Sequence, residues 1–117
     1  ADFMKRAMSS CDSINTDALI KAAIAGKDEI AAYLATTPYR DGVDALKSSQ
    51  SIFECWCDNR IIRAIKPQKY NAFTVGPIFA YVIARLNEIK TIRIVLTGKQ
   101  NDLSEEAIRE RVREMYA

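Results

Sequence analysis

Through most of the chain the apolar residues recur three and four positions apart, with only 4 glycines and 3 prolines to interrupt them. That spacing lays one apolar face along an α-helix, whereas a half-buried strand alternates every second residue. An all-α fold follows, drawn as a compact bundle of about five helices. The 117 residues, 49% of them hydrophobic, suffice for one modest core and not for two. Residues 1–117 are therefore expected to form a single helical domain.

The punctuation divides the chain into segments. Residues 2–25 place Met4, Met8, Cys11, Ala18 and Ala22 on one stripe, with Gly26 as a C-terminal stop. Asn15 interrupts that stripe. One continuous helix with Asn15 as a buried, register-setting residue is the expected form, and an Asn15-Thr16 cap opening a fresh helix is the alternative. A short helix over 28–35 ends before Thr37-Pro38, because the residue before proline is pushed out of the helical region. Residues 39–48 read as a loop with room for one helical turn.

From 49 to 65, Ile52, Phe53, Trp56, Ile62 and Ile65 make an apolar face that Pro67 closes, the best single anchor for a core. Gly76-Pro77 opens the longest apolar helix, expected to reach about Thr97 with Gly98 as its stop. Its end, Ile92-Arg93-Ile94-Val95-Leu96, would by itself read equally well as a strand. The lack of another convincing strand to pair with it argues for helix. In the last segment Ser104 can cap, Glu105 and Glu106 suit the positive end of the helix dipole, and Leu103 can staple onto Ile108. Glu105 and Arg109 form a supportive i,i+4 pair. Ile108, Val112 and Met115 are then expected to form a buried stripe.

Chemistry is conspicuous by its scarcity. The chain contains no histidine, which removes the commonest general base, the Ser-His and Cys-His nucleophile pairs and the commonest metal ligand. Cys55-Trp56-Cys57 falls short of a zinc site, because Cys11 is the only other thiol and residues two apart on a helix point to different faces. Thr97-Gly98-Lys99-Gln100 lacks the upstream glycine and the following Ser or Thr of a phosphate-binding loop. No catalytic residue, metal or cofactor is expected. With 17 basic and 15 acidic residues, the net charge of +2 does not describe a nucleic-acid binder.

Apolar runs such as residues 92–96 break off well short of the roughly 20 residues a membrane-spanning helix needs, so direct membrane insertion is not expected. The N-terminal Ala-Asp-Phe-Met-Lys-Arg carries no secretory signal, and the three cysteines do not form a disulfide framework. A cytoplasmic protein is expected. The missing initiator methionine suggests a fragment with further sequence upstream.

The Arg-rich end, Arg109, Arg111 and Arg113 alternating with glutamates, reads as a solvated helix face, with an interaction surface as the second reading. Arg93 and Glu88 stand out. Arg93 has Ile89 and Leu96 as helical neighbours, so its charge emerges from an apolar face and calls for a carboxylate, with Glu54 and Asp58 as candidates. An internal ion pair between packed helices is one account; contact with a partner protein is the other.

The run Glu88-Ile89-Lys90 through Ile92-Arg93-Ile94-Val95-Leu96-Thr97-Gly98-Lys99, with Ile108-Arg109-Glu110-Arg111-Val112-Arg113-Glu114-Met115-Tyr116, resembles the C-terminal part of the C-type subunits of A/V-type rotary ATPases. The eukaryotic counterpart is the d-type component of the vacuolar enzyme. Cys57-Asp58-Asn59, Lys69-Tyr70, Phe73 and Pro77 resemble the same family, as do Asp12 and Asn15; Gly76 and Thr74 depart from it. The resemblance implies one domain of a larger multi-domain helical subunit. It also implies a non-catalytic central-stalk role on the cytoplasmic side of the membrane, with the central axle subunits and the membrane rotor ring of a proton- or sodium-translocating complex as partners. A helical interaction or adaptor module unrelated to rotary ATPases is the competing reading.

Overall fold

A computed structural model describes residues 2–9 and 11–117; Ala1 and Ser10 lie outside the described residues. The protein is all-α, with seven α-helices and no strand among those residues. In order they are α1 (Asp2–Ala7), α2 (Thr16–Ala25), α3 (Lys27–Ala35), α4 (Val43–Ser48), α5 (Gln50–Ile65), α6 (Gly76–Gln100) and α7 (Glu105–Arg109), with 3-10 turns at Arg40–Gly42 and Lys66–Tyr70. The chain packs as two units, residues 1–49 and residues 50–117.

In the first unit the helix expected over 2–25 is broken, and Asn15 decides where. Its backbone is extended, at φ −78° and ψ 111°, and its Oδ1 accepts the Ala18 N–H at 3.0 Å, so it caps α2. The Tyr33 hydroxyl holds the same residue from α3, accepting the Asn15 N–H at 2.9 Å and donating to the Asn15 carbonyl at 3.2 Å. With its N–H taken by the tyrosine hydroxyl, Asn15 cannot donate back into a preceding turn, while its carbonyl still accepts the Leu19 N–H at 3.0 Å, so a helix starts at this residue instead of running through it. Gly26 then turns the chain between α2 and α3 at φ 140°, its N–H bonded to the Ala22 carbonyl and its own carbonyl to the Ile30 N–H. Ile20, Ala31 and Leu34 are the buried apolar residues here. Residues 39–48 are also more ordered than a loop: a 3-10 turn leads directly into α4.

The second unit is built on the α5 and α6 pair. Ile62 is 1% exposed and is the best-buried large side chain. Pro67 sits where the α-helix tightens into a 3-10 turn, and Pro77 lies in the first turn of α6. Gly98 does not stop α6, which continues to Gln100. The stop is a left-handed residue at Asp102, φ 53°. The Leu103 N–H returns to the Gly98 carbonyl at 2.9 Å and the Asp102 N–H to the Lys99 carbonyl at 3.2 Å, the paired bonds of a Schellman ending. Gly98 serves a different purpose, as the point where α6 meets α7: a Cβ there would sit 2.7 Å from Ile108 Cγ1.

Ser104 caps α7 through the Ala107 N–H at 3.2 Å. The helix is much shorter than the apolar spacing predicts, ending at Arg109. Ile108 is buried, but Val112 is only partly so and Met115 is 48% exposed, so the expected stripe through 115 is not formed.

Candidate functional site

Beyond α7 the Glu110, Arg111 and Val112 N–H groups still close turns onto the Glu106, Ile108 and Arg109 carbonyls, and the chain then runs on as an irregular strap that takes its hydrogen-bond partners from elsewhere. Side chains from α5 and α6 supply them: Asn59 Oδ1 accepts the Glu114 N–H at 2.7 Å, and Asn87 Nδ2 donates to the Glu114 carbonyl at 2.9 Å. The Cys55 thiol donates to the Val112 carbonyl at 3.5 Å. Arg113 is drawn inward until only 4% of it is exposed. Its Nε donates to Asp58 Oδ2 at 2.8 Å, and the same oxygen accepts from Lys90 Nζ at 2.5 Å. A second guanidinium nitrogen of Arg113 donates to the Arg111 carbonyl. Outside this lock, Arg63 Nε bonds both Glu114 oxygens at 2.9 and 3.1 Å.

Partial burial works to raise the Asp58 carboxyl, but the hydrogen bonds and charges of Lys90 and Arg113 together outweigh it and hold the group below the usual carboxylate range. Arg63 likewise lowers Glu114. The neighbouring Cys57 thiol goes the other way, raised by burial and then by the Asp58 charge, which is the opposite of an activated nucleophile. This cluster ties the strap, α5 and α6 together; it is a structural lock.

With the strap and α5 in place, α6 has an unusual distribution of side chains. The residues it buries are small or polar: Ala80, Ala84, Asn87 and Gly98, at spacings that keep one face toward the unit. Its large apolar residues point elsewhere. Ile78, Val82, Leu86, Ile89 and Leu96 are exposed by 45 to 71%, along the face opposite the buried one. Fully burying a side chain of this kind is worth roughly 1.5–3 kcal/mol, and these partly exposed residues forgo a share of it. Arg93 lies within that stripe.

Arg93 is thus exposed, and it is not the partner of Asp58, whose oxygen is occupied by Arg113 and Lys90. The expectation of a buried pair between Arg93 and Asp58 or Glu54 is corrected. Arg93 projects from the side of α6 opposite Ala80, Ala84 and Asn87, whereas Lys90, nearer the buried side, reaches Asp58. Glu54 is exposed and accepts from Gln50 Nε2 at 3.1 Å on its own helix. Glu88 pairs with Arg85, one turn away on α6. Of the four singled-out residues, only Asp58 enters the lock. Arg113, Asn59 and Asn87 were missed. Arg113 sat in a run of alternating charges that looks solvated, while Asn87, polar between Leu86 and Glu88 on the long apolar helix, was a signal available to sequence reading.

Among the described residues no three His, Cys, Asp or Glu side chains gather as a metal site, and no helix is long and apolar enough to cross a membrane. The family model for the ATP synthase (C/AC39) subunit matches residues 1–111. The chain belongs to that family. It is also similar to the C-type subunit of the V-type sodium ATPase of Enterococcus hirae, 28% identical over 120 residues, a match that takes in 99% of this chain and 37% of the relative. The chain thus spans little more than a third of the length of that curated relative. No solved structure matches it.

Proposed function

We propose that this chain is a non-catalytic part of the central stalk of an A/V-type rotary ATPase, coupling the membrane rotor ring to the central axle on the cytoplasmic side. The observation that carries this reading is the family match over residues 1–111. The reading is supported by a helical body with no histidine and by a long helix whose large apolar residues face outward. Torque transmission asks for stiff elements and for partner surfaces, and α5 and α6 with their polar lock supply both. An adaptor unrelated to rotary ATPases required the resemblance to be coincidental, and a match over nearly the whole chain removes that premise.

The direct test is co-purification of the full-length protein with axle or ring subunits of its own complex. Retention with either is expected; stable exclusion from both overturns the reading. That residues 1–117 act as one domain of a longer protein belongs to the same proposal. Calorimetry of this chain should then show one cooperative transition with equal calorimetric and van't Hoff enthalpies, and two separate transitions would count against it.

A further inference from the structure

The outer face of α6 has the spacing of a helix-to-helix seam. Leu86, Ile89, Arg93 and Leu96 follow one another at intervals of three, four and three, the rhythm by which one helix sets knobs into another. Three of the four are apolar and well exposed. The fourth is a fully ionised guanidinium. Beside it opens a cavity of about 310 Å³ lined by Lys90, Arg93 and Arg111 together with Ile94, Thr97 and Leu103, and no carboxylate lines it. On the other side of Lys90 the same helix borders a second hollow, of about 150 Å³, where Ile61, Ile83 and Leu86 contribute apolar walls. Asp58 lies there, already engaged by Lys90 and Arg113.

We propose that this face of α6 docks one amphipathic helix of a partner protein, and that the partner presents a carboxylate to Arg93. The charge settles the class of occupant. An apolar helix would strand the Arg93 guanidinium without compensation, and a basic one would face Arg93 and Arg111 beside Lys90, whose charge Asp58 already offsets; a carboxylate in an otherwise apolar seam satisfies both the charge and the stripe. A free phosphate or other small anion would use the cations and leave Leu86, Ile89 and Leu96 in water. A single charged residue in such a seam also fixes the register, because sliding the partner by one turn separates the pair. Arg93 is therefore a specificity residue for the partner. This inference rests on the proposed function for its setting, and it names the surface through which a partner of the complex would be held.

The probe is a fluorescent helical peptide of about three heptads with leucines at the seam positions and one glutamate opposite Arg93, measured by anisotropy against the full-length protein at constant ionic strength. Binding is expected, weakened about tenfold or more by Arg93→Glu and restored when that variant meets the peptide with lysine in place of glutamate. Absence of binding, equal binding to Arg93→Glu, or complete displacement by inorganic phosphate at that ionic strength overturns the proposal. Arg93 is exposed, so the variant should keep its helical circular dichroism. In the isolated full-length protein, a cysteine at Ile89→Cys should alkylate readily; protection there means that the protein's own chain covers the face, which also overturns it. Co-purification separates this inference from the rotary reading. If Arg93→Glu is retained by axle and ring subunits as well as wild type is, the seam proposal fails and the rotary reading stands. If the peptide charge swap works but the wild-type protein is excluded from both, the seam stands and the rotary reading fails.

Discussion

Two arginines, 20 positions apart, occupy opposite extremes of the protein, and the difference is in what each can reach. Arg113 is buried beside a carboxylate it shares with Lys90, whereas Arg93 projects from the far face of α6. Replacing Arg113 with Ala would leave Asp58 with one cation and open space where the guanidinium stem lay. A loss of roughly 3 kcal/mol is expected, toward the lower end for a broken buried pair because Lys90 remains. Arg93→Ala removes an exposed charge and should cost less than about 1 kcal/mol. Urea melts of the two variants against wild type measure both values; a large loss at Arg93 with a small one at Arg113 would reverse the assignment of which arginine is structural.

At the level of helices, two glycines show that open space and backbone freedom are separate constraints. Gly26 has nothing within 4 Å of where a Cβ would stand, yet its φ of 140° is a region that L side chains rarely adopt. Gly26→Ala should therefore destabilise the α2 and α3 turn by about 1–3 kcal/mol from backbone strain alone. Gly98 has ordinary helical geometry, so alanine would gain up to about 1 kcal/mol of helix propensity. Against this, its Cβ would come within 2.7 Å of Ile108 Cγ1 and 3.0 Å of Cδ1, and overpacking of that kind typically costs about 1–3 kcal/mol. The buried, β-branched Ile108 has little room to give, so a net loss of about 1 kcal/mol is expected. Placed in an Ile108→Ala background, Gly98→Ala should become neutral or stabilising, which thermal melts of the double-mutant cycle would show. A Gly98→Ala variant that stabilises the wild-type background would mean that α6 and α7 are not in close contact.

For the molecule as a whole, the ion pairs of Asp58 and Glu114 make stability depend on pH in a definite direction. Asp58 and Glu114 both have carboxyls lowered by their cationic neighbours. A lowered folded-state value means that the unfolded chain binds the proton more readily. The stabilisation is therefore complete above the ordinary carboxylate range, near about 4, and is lost as pH falls from there through the lowered values. Asp58→Asn cannot form the charged pair and should be less stable near neutrality, with a shallower fall on acidification. Denaturant melts from neutral pH down to about 3 test this; parallel curves for wild type and Asp58→Asn would show that the Asp58 pair contributes nothing to the slope.

Local rules were legible where they act within a few residues. The helical spacing, the proline at the start of α6, the Ser104 cap and the stop at Gly26 all depend on contacts one turn away, and each was readable in the chain alone. The same range explains what was not. Whether Asn15 sits inside a helix or caps one turns on Tyr33, 18 positions downstream. Whether the last segment continues as a helix or leaves as a strap turns on Asn59, Asn87 and Asp58, which lie 27 to 55 positions away in sequence from the groups they bind. For Arg93 the sequence did reveal the conflict, a cation among apolar neighbours. Which side of α6 would face the interior was decided only by packing, because the small residues Ala80, Ala84 and Gly98 let neighbouring elements approach closely and turned the large ones, and Arg93 with them, outward.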